Sequence, residues 1–98
     1  MNVIRSNRTK LSANKKELKN ALAKMITNLI NNKKWSDKVA AEEFEVEPSM
    51  ITELSKGLLK NISLEDILDL FVKLGYKTEI KPSSHKDLMN VIIKKKRE

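Results

Sequence analysis

The chain has 98 residues, of which 40% are hydrophobic and 34% are charged, and its formal net charge at pH 7 is +7. This composition excludes a disordered chain and suits one small globular domain. The absence of cysteine excludes disulfides and thiolate metal sites. No apolar run approaches the roughly 20 residues that span a bilayer, so we expect a cytoplasmic protein with no membrane partner.

The positive charge is concentrated at the two ends of the chain. Residues 1–34 contain nine Lys and Arg against one acid, residues 35–80 contain five against ten, and residues 81–98 contain six against two. A net positive charge favours an acidic partner such as nucleic acid. We therefore expect the basic flanks, rather than the acidic middle, to attract such a partner.

In chain order, residues 1–11 are polar and basic without hydrophobic periodicity, and they predict a flexible arm. A long amphipathic helix follows from Ser12 or Asn14, since either residue can cap it. Ser36 caps a second, short helix, and Pro48 opens a third, which Gly57 ends. The first helix has one apolar stripe, formed by Leu18, Ala21, Leu22, Met25, Ile26, Leu29 and Ile30.

The last third of the chain predicts a fourth helix, a strand and a terminal helix. Ser63 opens the fourth helix, and residues 76–80 alternate apolar and polar side chains as a short strand does. Because no second strand is evident, pairing with the same strand of another copy would satisfy its backbone, which predicts a homodimer. Residues 82–98 predict an amphipathic helix. The candidate dimer contacts are Tyr76, Thr78, Ile80, Leu88 and Ile92.

The segment from Trp35 to Gly57 has the most specific pattern in the chain. A capped short helix is followed by a three-residue turn centred on Val46 and by a second helix that ends at a glycine. Ala40 and Ala41 are small enough for the two helices to cross closely. This order predicts a helix-turn-helix.

The pattern resembles the helix-turn-helix of Xre-type, phage-repressor-like DNA-binding domains. More narrowly, residues 18–80 are similar to the antidote proteins of HigA-type toxin–antitoxin modules, on the strength of NLINNKKWS, AAEEF-V-PSMITEL-KG and NISLEDILDLFVKLGYKTEI. Together with the periodicities, the resemblance implies a mostly all-α, lambda-repressor-like domain. The domain would span residues 12–81 and contain four to five helices and the short strand 76–80. The terminal helix would follow this domain.

The resemblance also implies a homodimer that binds a two-fold symmetric operator and represses transcription, with the second helix of the motif in the major groove. The positions that match base-facing sites are Pro48, Ser49, Met50, Thr52 and Glu53. The positions that match sites near phosphate are Ser36, Lys38, Lys56, Lys60 and Asn61. Independently of the resemblance, we expect the arm to reach phosphates or a minor groove through Arg5, Arg8 and Lys10.

Two glutamates depart from the family pattern. Glu45 stands where the motif usually has a turn glycine, so we expect a different backbone or strain there. Glu47 replaces the usual Ser or Thr cap, although a carboxylate suits a helix N-terminus. The reading face also lacks Gln and Arg, the usual bidentate readers of bases. We therefore expect modest specific reading or a dependence on DNA shape.

No pattern in the sequence points to catalysis, a metal or another cofactor. His85 is the only histidine, and Glu42 and Glu43 are adjacent on a helix and cannot face one point. No Gly-rich phosphate loop or nucleophile elbow is present. We therefore expect a non-enzymatic regulator that binds double-stranded DNA, with a toxin or another protein as a further partner. The alternative is a helix-turn-helix protein-interaction module. An acidic DNA mimic is disfavoured by the basic flanks.

Overall fold

The computed structural model of the chain describes residues 8–84 and 88–95, and these residues form four helices and three strands. In chain order the elements are β1 (Arg8–Ala13), α1 (Lys15–Asn32), α2 (Asp37–Phe44), α3 (Pro48–Lys56), α4 (Leu64–Lys73), β2 (Tyr76–Pro82) and β3 (Met89–Lys95). The helical domain is confirmed, whereas the description all-α is inexact because a three-stranded sheet is present. None of these helices is long and apolar enough to cross a membrane.

The helix ends follow the local marks in the sequence. Asn14, Ser36 and Ser63 cap α1, α2 and α4, and each side chain accepts the backbone N–H of the residue three positions later. Pro48 is the first residue of α3, and Gly57 follows its last residue with φ of +74°. These predicted boundaries are therefore confirmed.

The core lies among the four helices and beneath one face of the sheet. Its fully buried side chains are aliphatic apart from Phe44 and Phe71, as the low aromatic content predicts. Within the described residues no buried side-chain polar atom lacks a hydrogen-bond partner. The largest core side chains are Phe44, Phe71, Leu18, Leu22, Ile26, Ile51, Leu64, Ile67, Leu70, Ile93 and Val91.

The predicted terminal helix is wrong, because Met89–Lys95 is the central strand of the sheet. Val91, Ile92 and Ile93 are all buried, with Val91 and Ile93 in the main core and Ile92 outside it. A contiguous β-branched run suits the central strand of a sheet. The spacing of Leu88, Met89, Ile92 and Ile93 also fits a helix, which is why the sequence pattern predicted a helix instead of a strand.

The predicted flexible arm is wrong for residues 8–11, which belong to β1. β1 pairs antiparallel with β3, from Arg8 opposite Lys94 to Ala13 opposite Met89. Residues 1–7, including Arg5, lie outside the described residues. The strand depends on a partner from the other end of the chain, so no local periodicity predicted it.

The partner of the predicted short strand is found in the same chain. β2 extends to Pro82 and pairs antiparallel with β3, with Tyr76 opposite Lys95 and Ile80 opposite Val91. The reason given for a dimer, a strand without a partner, is therefore wrong. The strand order β1-β3-β2 nevertheless leaves β2 at an edge of the sheet.

Candidate nucleic-acid interface

The segment α2–α3 has the geometry of a helix-turn-helix. Residues 45–47 join the two helices, and Ala40 and Ala41 are buried where the helices cross. Val46 packs against the core, and its N–H donates to the carbonyl oxygen of Ala41 at 3.0 Å. Ile51 is buried on the inner side of α3. The predicted packing of the motif is confirmed.

The turn has the backbone conformation that a glycine would adopt, although Glu45 occupies the position. Glu45 has φ of 59° and ψ of 46°, the left-handed conformation that glycine adopts easily and other residues rarely adopt. Its side chain is exposed. The expected strain is therefore present, and the alternative of a different turn backbone is wrong.

A lysine of α4 forms a hydrogen bond with the carboxyl end of α2. Lys73 Nζ donates to the carbonyl oxygen of Phe44 at 2.5 Å and lies 3.4 Å from a carboxylate oxygen of Asp69. A cation at a helix C-terminus is stabilised by the partial negative charge there. The end of α2 is thus bonded to a side chain that lies outside the motif.

The candidate base-contact residues lie along α3 with different exposures. Pro48 and Ser49 are exposed in its first turn. Met50, Thr52 and Glu53 are partly exposed, and Met50 also packs against the core. Ser49 is therefore the most accessible hydrogen-bonding side chain among these candidates.

Asp37 is a site residue that the sequence did not reveal. The hydroxyl of Thr52 donates to Asp37 Oδ2 at 2.9 Å, with the carbonyl oxygen of Pro48 as an alternative acceptor at 3.3 Å. A hydroxyl has only one proton to donate. While bound to Asp37, Thr52 offers a base edge only its lone pairs and its methyl group. An acid at the start of a helix is ordinary, so no pattern singled out Asp37.

The candidate phosphate contacts fall into two separate groups. Ser36 and Lys38 are exposed at the start of α2, and Lys56, Lys60 and Asn61 are exposed at the end of α3 and just after it. Lys10 is exposed on β1, whose main packing partners are β3 and α1 rather than α2 or α3. The backbone of Arg8 belongs to the same strand. The structure therefore does not bring Lys10 beside the helix-turn-helix.

A lysine-lined groove runs between α1 and the segment that follows α3. One depression of about 450 Å³ and an adjoining one of about 260 Å³ share Asn20, Gly57 and Leu59. No Asp or Glu lines either depression. The lysines that line them are Lys15, Lys16, Lys19, Lys24, Lys56 and Lys60, and we call this surface the lysine groove.

Four lysines of this groove come from α1 and were missed as site residues. Lys19 Nζ donates to the carbonyl oxygen of Leu59 at 2.8 Å, which joins the two walls of the groove. Lys15 and Lys19 are four residues apart, as are Asn20 and Lys24, so helical spacing places each pair on one face. That spacing is visible in the sequence. The position of Lys15 and Lys19 opposite Lys60 is not visible in the sequence.

The candidate dimer contacts do not form one surface within the chain. Tyr76, Thr78 and Ile80 share one face of β2, and the Tyr76 ring lies edge-on to Phe71 with centroids 5.9 Å apart. Ile92 is 5% exposed on the opposite face of the sheet. Leu88 is partly exposed just before β3.

The fold and the α2–α3 geometry define a protein of the helix-turn-helix class. A family model described as a helix-turn-helix domain matches residues 9–83, and the chain belongs to that family. The match supports a DNA-binding protein. Comparison with curated proteins found no match, and comparison with solved structures found none either. Within residues 8–84 and 88–95, no group of three or more His, Cys, Asp and Glu residues is arranged to hold a metal ion.

Proposed function

We propose that this protein is a sequence-specific transcriptional regulator that binds double-stranded DNA as a homodimer and represses transcription. The observation that carries the proposal is the lysine groove beside the end of α3 on a helix-turn-helix frame. The major groove of B-DNA admits an α-helix. Lysines beside that helix suit the phosphates that border the groove.

The exposed side chains of α3 are proposed to read bases by single hydrogen bonds. Ser49 has a hydroxyl that can donate or accept, whereas Glu53 and the Asp37-bound Thr52 can only accept. Acceptors match the amino groups of cytosine and adenine in the major groove. Single bonds discriminate less than bidentate pairs, so DNA shape contributes to specificity as well.

The lysine groove takes the role that the sequence assigned to the N-terminal arm. Lys56 and Lys60 come from the end of α3 and the following segment, and Lys15 and Lys16 come from the start of α1. Each lysine that neutralises a phosphate steepens the slope of log K against log salt by about 0.9. Affinity then comes from the groove, while base discrimination comes from α3.

The homodimer is supported by the position of β2 at an edge of the sheet that the described residues form. β2 is an edge strand, and its Ile80 is 37% exposed. Val72 is 49% exposed on α4, the helix that packs against β2. Pairing two copies along β2 would cover apolar surface and would present two reading helices to a two-fold site.

The biological setting is proposed from the resemblance to HigA-type antidotes and phage-type repressors. The protein would act in the cytoplasm, by binding rather than by catalysis, and would repress its own promoter. A protein toxin encoded next to it would be a further partner. None of these roles needs a cofactor.

The proposal is tested with the DNA upstream of the protein's own gene. Fluorescence anisotropy would compare that duplex with a shuffled duplex of equal length and composition, over about 50 to 200 mM salt. We expect tighter binding to the upstream duplex and a steep salt slope for both duplexes. Equal affinity for the two duplexes would refute a sequence-specific regulator.

The oligomeric state is tested separately. Light scattering should give a dimer, and Ile80→Glu should give a monomer with unchanged circular dichroism. A wild-type monomer at the concentrations that saturate the operator would contradict the dimer.

A second candidate function is favoured by the acidic surface of the motif. Glu42, Glu43, Glu45 and Glu47 are exposed on α2 and the link to α3. Such a surface suits a basic protein partner such as a toxin. In a pull-down with the product of an adjacent short gene, Glu42→Lys/Glu43→Lys should abolish capture. Capture that survives the double substitution would remove this candidate.

A further inference from the structure

The sheet has a second face that the helix-turn-helix does not use. Val91 and Ile93 belong to the core, so the residues that alternate with them on β3 lie on the opposite face. We call this opposite face the outer face. The residues placed there by the strand register are Lys10, Ser12, Lys77, Glu79, Lys81, Asn90, Ile92 and Lys94.

The outer face is strongly basic. Its four lysines are exposed, and its one acid, Glu79, lies 3.8 Å from Lys81 Nζ. Lys94 on the central strand is directly opposite Lys77 on β2 and opposite Arg8 on β1. Like charges directly opposite one another destabilise a sheet. Folding alone therefore gives no reason for this row of basic residues.

The chemistry of the outer face selects a polyanion rather than a protein. Protein–protein interfaces are enriched in aromatic residues and depleted of lysine at their centre. Here the only apolar residue of the outer face, Ile92, is just 5% exposed and offers no hydrophobic anchor. The eight residues include no aromatic ring, so bases of a single strand have nothing to stack on. A polar, basic surface suits the phosphates of a duplex.

The outer face is separate from the reading helix. The sheet packs chiefly on α1 and α4, whereas the motif is formed by α2 and α3. The central strand, Met89–Lys95, also lies beyond residues 9–83, which the helix-turn-helix family model matches. Asn90, Ile92 and Lys94 thus lie outside the matched residues.

We propose that the outer face is a second binding surface, which holds the backbone of duplex DNA without regard to sequence. With α3 on an operator, this surface holds a flanking or a second DNA segment. The proposal does not depend on the function of α3. The proposal predicts that the protein binds duplex DNA of any sequence, even if its helix-turn-helix does not recognise a specific sequence.

The test uses the full chain and a random-sequence duplex of about two helical turns, roughly 20 base pairs. The variant Lys77→Gln/Lys94→Gln removes two charges from the outer face. The control Lys33→Gln/Lys34→Gln removes two charges from exposed lysines after α1. We expect the salt slope of the outer-face variant to become less steep by about 1.8, at about 0.9 for each phosphate contact, and that of the control to stay unchanged. Lys77→Arg/Lys94→Arg should keep the wild-type slope.

Three outcomes overturn the proposal. One is an equal slope for the outer-face variant and the control. The second is a change in sedimentation with an unchanged slope, because the surface would then serve a second copy or an acidic protein. The third is complete loss of binding by Lys56→Gln/Lys60→Gln, because all DNA contact would then lie at the lysine groove. Thermal melting should show that the Gln variant is at least as stable as the wild type, since a repulsion is removed.

Discussion

The Thr52 hydroxyl and the Asp37 carboxylate are joined by a hydrogen bond of 2.9 Å, which ties the reading helix α3 to the first turn of α2. The bond orients Thr52 and uses its only proton. It also places a carboxylate at the end of α2 where the proposed phosphate contacts Ser36 and Lys38 lie. In the proposed complex, Asp37 would therefore repel DNA electrostatically while it positions a candidate base contact.

The substitution Asp37→Asn is predicted to tighten binding to the operator. The amide oxygen of Asn can still accept from Thr52, while the repulsion of phosphate is lost. The gain is on the order of 1 kcal/mol or less, which is up to about fivefold in Kd. In contrast, Asp37→Ala removes this acceptor, so the Thr52 hydroxyl can donate to a base or to the carbonyl oxygen of Pro48, and the preferred base should change at one position. Binding to a panel of singly substituted operators measures both effects. A panel profile for Asp37→Ala that equals the wild-type profile would contradict the prediction that Asp37 sets base preference through Thr52.

The lysine groove is predicted to account for much of the salt dependence of operator binding. Lys56→Gln/Lys60→Gln should make the slope of log K against log salt less steep by about 1.8. The ratio of operator to shuffled-duplex affinity should change little, since phosphate contacts carry no sequence information. The control is again Lys33→Gln/Lys34→Gln. A large loss of the affinity ratio would mean that these lysines contact bases.

The predictable parts of the fold are the helix ends, because the residues that stabilise each end lie next to it in the sequence. Asn14, Pro48 and Gly57 each stand at the helix end that they stabilise, so a local pattern was enough. The crossing of α2 and α3 was predictable for the same reason, because Ala40 and Ala41 lie within the motif.

The parts that were missed depend on residues far apart in the chain. β1 exists because Leu11 pairs with Val91, and the lysine groove exists because Lys15 and Lys60 line one depression. No periodicity in either segment contains this information. β3 was missed for a different reason, since its spacing also fits a helix and only pairing on both sides decides in favour of a strand.

The left-handed backbone of Glu45 is predicted to limit stability. This conformation costs a residue other than glycine on the order of 1–2 kcal/mol, and glycine loses about 0.4–1 kcal/mol through its freedom in the unfolded chain. Glu45→Gly should therefore raise the free energy of unfolding by about 0.5–1 kcal/mol. Glu42→Gly, inside α2, should lower it by about 1 kcal/mol. Urea denaturation compares the two, and destabilisation by both would show that the turn is not strained.

The bond from Lys73 to the end of α2 is predicted to stabilise the motif. Lys73→Met keeps the aliphatic stem but removes the ammonium that donates to Phe44. A charge-assisted, partly buried hydrogen bond is worth about 1–2 kcal/mol, so the Tm should fall by roughly 4–8 °C for each kcal/mol. The matched control is Lys38→Met, which changes an exposed lysine of α2. Equal melting temperatures for the two variants would exclude a capping role.

The two faces of β3 predict different costs for the same substitution at neighbouring positions. Ile93 is fully buried in the main core, whereas Ile92 lies on the outer face between Lys10 and Glu79. Ile→Thr keeps the β-branched shape, so both variants retain strand propensity.

Ile93→Thr buries a hydroxyl among apolar side chains and should lower the free energy of unfolding by about 3 kcal/mol. Ile92→Thr places the hydroxyl beside Lys10 and Glu79 rather than among apolar side chains, so its cost should be about 1 kcal/mol. Urea denaturation followed by circular dichroism measures both. In a helix over residues 82–98, Ile92 and Ile93 would share the packed stripe and the two costs would be similar. Similar costs would therefore contradict a central strand with Ile93 inside and Ile92 outside.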